Sequence, residues 1–371
     1  MTSQKIALFI PALSVGGLEG VFISVASGLA AQGFDVDCLV MQGGGAFEKQ
    51  LPATINLINL GSRAVTSPVP LARYLRSARP SHLIGFSEPC NLAAIVARWL
   101  ARVPVTVIIT VHNTLSLSVQ HTRYRKEKLY PFFARRLYPY VDHFIAVSLG
   151  VAQDYADFIG LDRAGMAVVY NPIPVGQIQQ RSKQPVDHPW FTQRDKPILL
   201  AVNRMEPQKD YPTLIRAFAT LREDVDCRLC VVGDGSQWVR VEALVDELGI
   251  REHVLFTGMD TNPFKYMARA DVFLLSSVHE GFGSVVVEAL ACGCNVVATD
   301  CPHGPAEILA DGQFGRLVPV GDHQAMAAAI KATLDDPLPG EQLRNRALDF
   351  VPENAMNAYA AIIRGDDVID G

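Results

Sequence analysis

Residues 271–300, DVFLLSSVHEGFGSVVVEALACGCNVVATD, constrain the fold of this chain more than any other stretch. They open with a short apolar run over 272–275 that suits a buried strand. Two small polar residues, Ser276 and Ser277, lead into a turn holding Gly281 and Gly283. A helix-period segment over 284–291 follows, with Gly293 where a helix stops, and 296–298 reads as the next buried strand. Strand, glycine turn, helix, strand is half of a doubly wound α/β domain, whose ligands bind beyond the carboxyl ends of its strands.

The same alternation runs through the chain. Strands are predicted over 5–10, 36–40, 55–58, 83–86, 105–109, 143–147 and 166–169, with helices over 18–32, 71–77, 92–100, 123–138 and 151–159. Residues 171–197, rich in Pro and Gln, read as a linker with little periodicity. A second series follows, with strands over 198–202, 228–232 and 254–257 and helices over 211–222 and 239–248. The length of 371 residues fits two domains, over 1–170 and 198–350, with two helices between 341 and 363. Residues 351–371 form a last helix and an acidic tail.

A net charge of -5 argues against a nucleic-acid binder. No run of 18 apolar residues marks a membrane span, and residues 1–11 read as a first strand, not a signal peptide. Seven cysteines without framework spacing fit a reducing cytoplasm, and neither Cys227–Cys230 nor Cys292–Cys294 reads as a metal site.

Chemistry gathers at the strand ends. Glu280 lies in the glycine turn and Glu288 one turn into the next helix, both able to accept hydroxyl hydrogens. Gly281, Phe282, Gly283, Ser284 and Val285 bring backbone amides and a helix N-terminus to the same place, which suits phosphate. Arg204 and Lys209 bracket the loop after the strand at 198–202, as an anion-binding pair or as partners of Glu206 or Asp210. In the first half, Gly16 and Gly17 follow the first strand without the G-x-G-x-x-G spacing of a dinucleotide fold, and His112 follows the strand at 105–109. The stretch RYRKEKLYPFFARRLYPY carries Arg123, Arg125, Lys126, Lys128, Arg135 and Arg136. Its cations suit an anionic membrane or a phosphate-bearing acceptor, while its aromatics are expected to face the core.

NRMEPQKDYPTLIRAF at 203–218, VVGDGS at 231–236, HVLFTG at 253–258 and HEGFGSVVVEAL at 279–290 resemble glycosyltransferase family 4. IAVS at 145–148, YNPI at 170–173 and TDCPHGPAEIL at 299–309 extend the likeness over nearly the whole chain, with Asn203 standing where the family usually has glycine. The resemblance implies a GT-B architecture, two Rossmann-like domains facing a central cleft, with the last helix returning to the first domain. It implies a retaining enzyme of surface-polysaccharide or lipid-linked oligosaccharide synthesis. The donor would be a nucleotide sugar, UDP by the family's habit, and the acceptor a saccharide or polyprenyl-linked glycan. Arg204 and Lys209 would hold the diphosphate, Glu280 the sugar hydroxyls and Glu288 the ribose. The backbone around Gly283 to Val285 would meet the phosphates and sugar, and His112 would meet the donor sugar. Gly16 and Gly17 would close over phosphates or acceptor; Gly233, Asp234 and Gly235 would edge the base pocket, with Met259 nearby. No cofactor or metal is expected, since the two D-x-D sequences at 35–37 and 224–226 fall at a strand start and a helix end. A nucleotide-sugar epimerase of the same architecture and a non-catalytic nucleotide-sugar binding module are the alternatives.

Overall fold

In the computed structural model, which describes residues 4–14, 16–121 and 127–366, the strands fall into two parallel sheets. The first sheet contains β1 (Lys5–Ile10), β2 (Asp35–Val40), β3 (Asn56–Asn59), β4 (His82–Phe86), β5 (Thr106–Val111), β6 (His143–Ala146) and β7 (Met166–Val168). Its order is β3-β2-β1-β4-β5-β6-β7. The second contains β8 (Ile198–Val202), β9 (Arg228–Val232), β10 (Val254–Gly258), β11 (Val272–Leu275), β12 (Asn295–Thr299) and β13 (Arg316–Val318), in the order β10-β9-β8-β11-β12-β13. The central strands are buried along nearly their whole length, as a sheet covered by helices on both faces requires. Strand order reverses between β1 and β4 in one sheet and between β8 and β11 in the other, and such switch points open a crevice at the carboxyl ends.

The described chain divides into two compact units, 1–172 with 352–371, and 173–351. The helix Pro352–Arg364 thus belongs with the first unit. Its Met356, Tyr359, Ile362 and Ile363 enter one core with Phe22, Val25 and Leu29 of the helix Gly17–Ala31. The approach is close at Gly28, where a Cβ would stand 2.4 Å from Met356 Sδ.

Three expectations change. Residues 171–197 are not irregular: helices Val175–Ser182 and Pro189–Gln193 lie within them. Pro174 and Pro189 start these helices, because proline at a first turn loses no helical hydrogen bond. Asn262 Nδ2 fastens the first of them to the second unit through Arg181 O at 3.0 Å and Gln184 Oε1 at 2.9 Å. Of the helix expected over 123–138, residues 123–126 lie outside the described residues, and the described part is α-helical over Tyr130–Leu137, with Pro131 in its first turn. Phe132 and Phe133, expected to face the core, are 53% and 43% exposed, because so short a helix buries only Ala134; Tyr138 just beyond it is buried. Finally, β13 and the helix His323–Asp335 occupy a region where periodicity predicted no element.

Met356→Ala should destabilise the protein by about 2–5 kcal/mol, the cost of a cavity where a methionine packed between two helices. Urea unfolding of the two forms measures it, and an unchanged midpoint would show that the last helix does not share the first core.

Candidate functional site

In the second unit the loops after β8, β9, β11 and β12 are stitched together by backbone contacts. Met205 N donates to Asp234 O at 2.9 Å. A Cβ on Gly233, whose φ is +142°, would meet Asn203 O at 2.0 Å, and one on Gly235 would meet Met205 O at 2.6 Å. These glycines are therefore needed for close approach of two loops. Glu206 Oε2 accepts from Ser236 Oγ at 2.7 Å, and Asp210 Oδ2 accepts from Thr213 Oγ1 at 2.6 Å. Asp234 and Arg204 lie at this edge, with Arg204 exposed. Met259, after β10, is 71% exposed.

The loops after β8 and β11 are joined more tightly. Val278 N donates to Gln208 O at 2.8 Å, Gln208 Nε2 to His279 O at 2.7 Å, and Ser276 Oγ to Lys209 O at 2.7 Å. Lys209 Nζ then meets Glu280 Oε1 at 2.5 Å, with side chains only 15% and 9% exposed. Sequence placed these two residues in one crevice; the structure makes them an ion pair, and Lys209 is bonded neither to Glu206 nor to Asp210 in that contact. Glu280 N donates to Pro302 O at 3.1 Å, which ties in the loop after β12. Gly304 in that loop has φ +96°, and a Cβ on it would fall 1.9 Å from Phe282 O.

Gly283, at φ +90°, starts the helix Ser284–Ala291. Gly281 and Phe282 are buried, and Ser284 and Val285 are half-buried in the turn that opens the helix. Glu288 is half-buried on the same helix. Burial pushes its carboxyl up to about 7, and the Arg181 guanidinium opposes that in part.

The first unit carries the other expected residues. Gly16 has an extended φ of -179°, and Gly17 would meet nothing with a Cβ, so neither is a glycine by backbone necessity. They open the helix Gly17–Ala31, whose Phe22 meets Phe86 at the end of β4 edge-on at 5.1 Å. Phe86 stacks on His112 at 5.5 Å, after β5. His112 Nε2 lies 2.8 Å from Thr110 Oγ1, and its buried Nδ1 finds no hydrogen-bond partner of good geometry among the described residues. Burial drives the imidazole down to about 3, with the Asn171 side chain opposing, so the ring is neutral at physiological pH.

Of the basic stretch, Arg123, Arg125 and Lys126 lie outside the described residues. Arg135 donates to Ile159 O at 3.3 Å and Phe158 O at 2.9 Å, capping the carboxyl end of the helix Leu149–Ile159. That is a structural duty, and the sequence had offered it to a partner. Arg136 lies over the Phe132 ring at 3.9 Å. Both line a groove with Lys128, Pro131, Val119 and Phe158. The D-x-D carboxylates have structural partners: Asp35 with Lys5 at 2.9 Å, Asp37 with Tyr74 at 2.6 Å, Asp224 with Lys331 at 2.7 Å and Asp226 with Lys196 at 2.6 Å. Ser277, which sequence passed over as a small polar residue, donates to Glu280, and Thr299 donates to the Ser277 carbonyl; the S-x-x-E spacing at 277–280 was the available signal.

Two family models match the chain, "Glycosyltransferase Family 4" over residues 15–177 and "Glycosyl transferases group 1" over 183–349. A relative in Campylobacter jejuni is 29% identical over 93% of this chain and 94% of its own length. It is the N-acetylgalactosamine-N,N'-diacetylbacillosaminyl-diphospho-undecaprenol 4-alpha-N-acetylgalactosaminyltransferase. The lipopolysaccharide 1,6-galactosyltransferase of Salmonella typhimurium is 26% identical over 67% of each chain. Among solved structures, Anabaena HepE in complex with UDP-glucose matches with a TM-score of 0.79 at 20% identity, over 97% of this chain and 99% of that one. The apo form of the lipopolysaccharide outer core galactosyltransferase WaaB matches with a TM-score of 0.75 at 20% identity, over 98% and 99%. The fold is therefore that of the GT-B enzymes, two Rossmann-like domains each built on a parallel sheet.

The raised carboxyl of Glu288 should make the stability of the protein depend on pH. A carboxyl raised from 4.5 to about 7 favours its acid form in the fold, so its burden on stability is absent below pH 4.5 and accrues as pH rises through 7. Glu288→Gln should gain melting temperature relative to wild type between pH 5 and pH 8 (about the window of the shift). A difference that stays flat across that range, followed by scanning calorimetry, would contradict the assignment.

Proposed function

We propose that this chain, matched by the models of glycosyltransferase family 4 and of group 1 glycosyl transferases, moves a hexose or N-acetylhexosamine from a UDP-sugar to a saccharide or polyprenyl-linked acceptor in surface-glycan synthesis. The transfer retains the anomeric configuration and uses no metal. The observation that carries this reading is the Lys209–Glu280 pair, set beside the helix start at Gly283 on loops flanking the switch point of the second sheet.

A diphosphate offers Lys209 a stronger partner than one carboxylate, and exposed Arg204 adds a planar fork for phosphate oxygens. Backbone amides at the start of the helix Ser284–Ala291 add the favourable end of its dipole. Glu280, its lysine drawn to phosphate, accepts the hydroxyls of the donor sugar, and Glu288 those of the ribose. Gly233, Asp234, Gly235 and Met259 border the base. His112, held neutral, offers hydrogen bonding to a hydroxyl without adding charge. Two cations and a helix start stabilise the leaving diphosphate, the task that a divalent ion performs elsewhere. In the transfer the acceptor oxygen bonds to the anomeric carbon on the face from which the diphosphate leaves. The acceptor's proton passes to the departing phosphate oxygen.

Supports for the acceptor come from the relatives' names, which include a diphospho-undecaprenol glycan and a lipopolysaccharide. The groove at Lys128, Pro131, Phe132 and Arg136 puts cations beside exposed aromatics, a composition suited to an anionic membrane surface. Among the described residues no helix is long and apolar enough to cross a membrane.

Product stereochemistry tests the reading. NMR of the isolated glycoside should show the anomeric configuration of the UDP-sugar preserved; an inverted product would overturn the mechanism.

A further inference from the structure

Ser277 is fully buried, and its hydroxyl donates to Glu280 Oε1 at 2.6 Å. Lys209 Nζ occupies the same oxygen at 2.5 Å. Two donors converging on one oxygen hold that oxygen in place from two directions. Ser277 is itself held in place: its carbonyl accepts from Thr299 Oγ1 at 2.6 Å, and Thr299 is fully buried at the end of β12. Glu280 is thus anchored from three strand ends at once, by Lys209 after β8, by Ser277 after β11 and, through Ser277, by Thr299 of β12.

These donors differ in one respect. Lys209 has a long, flexible stem and a charge that a diphosphate attracts. Ser277 has a short side chain, buried in the loop, and its hydroxyl cannot follow a ligand. When Lys209 turns to phosphate, the Ser277 hydroxyl still holds that carboxylate oxygen.

We propose that Ser277 is a positioning residue for the donor sugar: its hydroxyl keeps the Glu280 carboxylate oriented toward the sugar hydroxyls after Lys209 has engaged the diphosphate. This rests on the donor reading given above. It separates two parts of one ligand, because only the sugar depends on Glu280. A Ser277 variant should therefore weaken the binding of a UDP-sugar and spare that of UDP.

Calorimetric titration with UDP-glucose, UDP-galactose, their N-acetyl forms and UDP reads this directly. For whichever UDP-sugar binds wild type most tightly, Ser277→Ala should raise Kd about tenfold, the scale of one lost hydrogen bond to a charged group. Its Kd for UDP should stay within about twofold of wild type, as expected where the removed group touches nothing of that ligand. Ser277→Cys keeps the side-chain shape with a slightly larger, weaker donor, so it should fall between wild type and Ser277→Ala, and it carries the test should the alanine variant fail to fold. In a Glu280→Ala background the further change Ser277→Ala should have no effect on UDP-sugar affinity, since the group it acts through is gone. Equal losses for UDP and UDP-sugar, no loss for either, or additivity with Glu280→Ala would each overturn the positioning role while leaving the donor reading intact. Failure of wild type to bind any of the UDP-sugars would remove the donor reading and this role together.

Discussion

A lysine and a glutamate 71 residues apart in sequence meet at 2.5 Å in a place where little of either side chain reaches water. Removing two charges from water is expensive, and their attraction recovers that cost only where the geometry is fixed and further hydrogen bonds complete it. The loops around them are arranged accordingly. Ser277 adds a second hydrogen bond to the same carboxylate oxygen, Ser276 holds the lysine's carbonyl, and Pro302 receives the glutamate's amide. The pair also suits a ligand that carries both a diphosphate and a sugar, because such a ligand offers each member a replacement partner. Protein groups already aimed at the place where charge develops need no rearrangement when the bond to phosphate breaks.

The scaffold makes that arrangement available through backbone, not side chains. Gly233, Gly235 and Gly304 each stand where a Cβ would run into a carbonyl of a neighbouring loop, so the loop after β9 packs closely on that after β8, and the loop after β12 on that after β11. Closely packed loops leave little room for alternative positions, which is how residues after β8 and β11 come to share one carboxylate, with Thr299 of β12 holding the second of them. The first unit uses rings for the same purpose. Phe22, Phe86 and His112 form a column that settles the imidazole against β4 and β5 and keeps it neutral by burial.

Much of this was legible in the sequence. Parallel strands covered on both faces read as continuous apolar runs, so ILLAV, VFLL and their counterparts fell within a residue or two of the observed strands. Residue types at strand ends pointed to the loops where the structure brings Lys209 and Glu280 together. What failed was context. Prolines over 171–197 signalled a linker, yet two of them begin helices. Phe132 and Phe133 looked like core residues until Pro131 shortened their helix. β13 is three residues long with an exposed arginine at its start, too little for any periodicity to register. Arg135 is a cation in a basic stretch, but two carbonyls at the end of a neighbouring helix use it. Sequence put Lys209 and Glu280 in one crevice but not in contact, because no local pattern links positions brought together only by adjacent strand ends.

On the proposed reading, Lys209 exchanges a carboxylate for a diphosphate without help from a metal ion. Calorimetric titration of wild type and Lys209→Met with a UDP-sugar, in excess chelator, measures that exchange most directly. The expected result is that wild type binds in chelator and Lys209→Met loses that binding. Binding by wild type only after magnesium or manganese is restored, and undiminished in Lys209→Met, would contradict it.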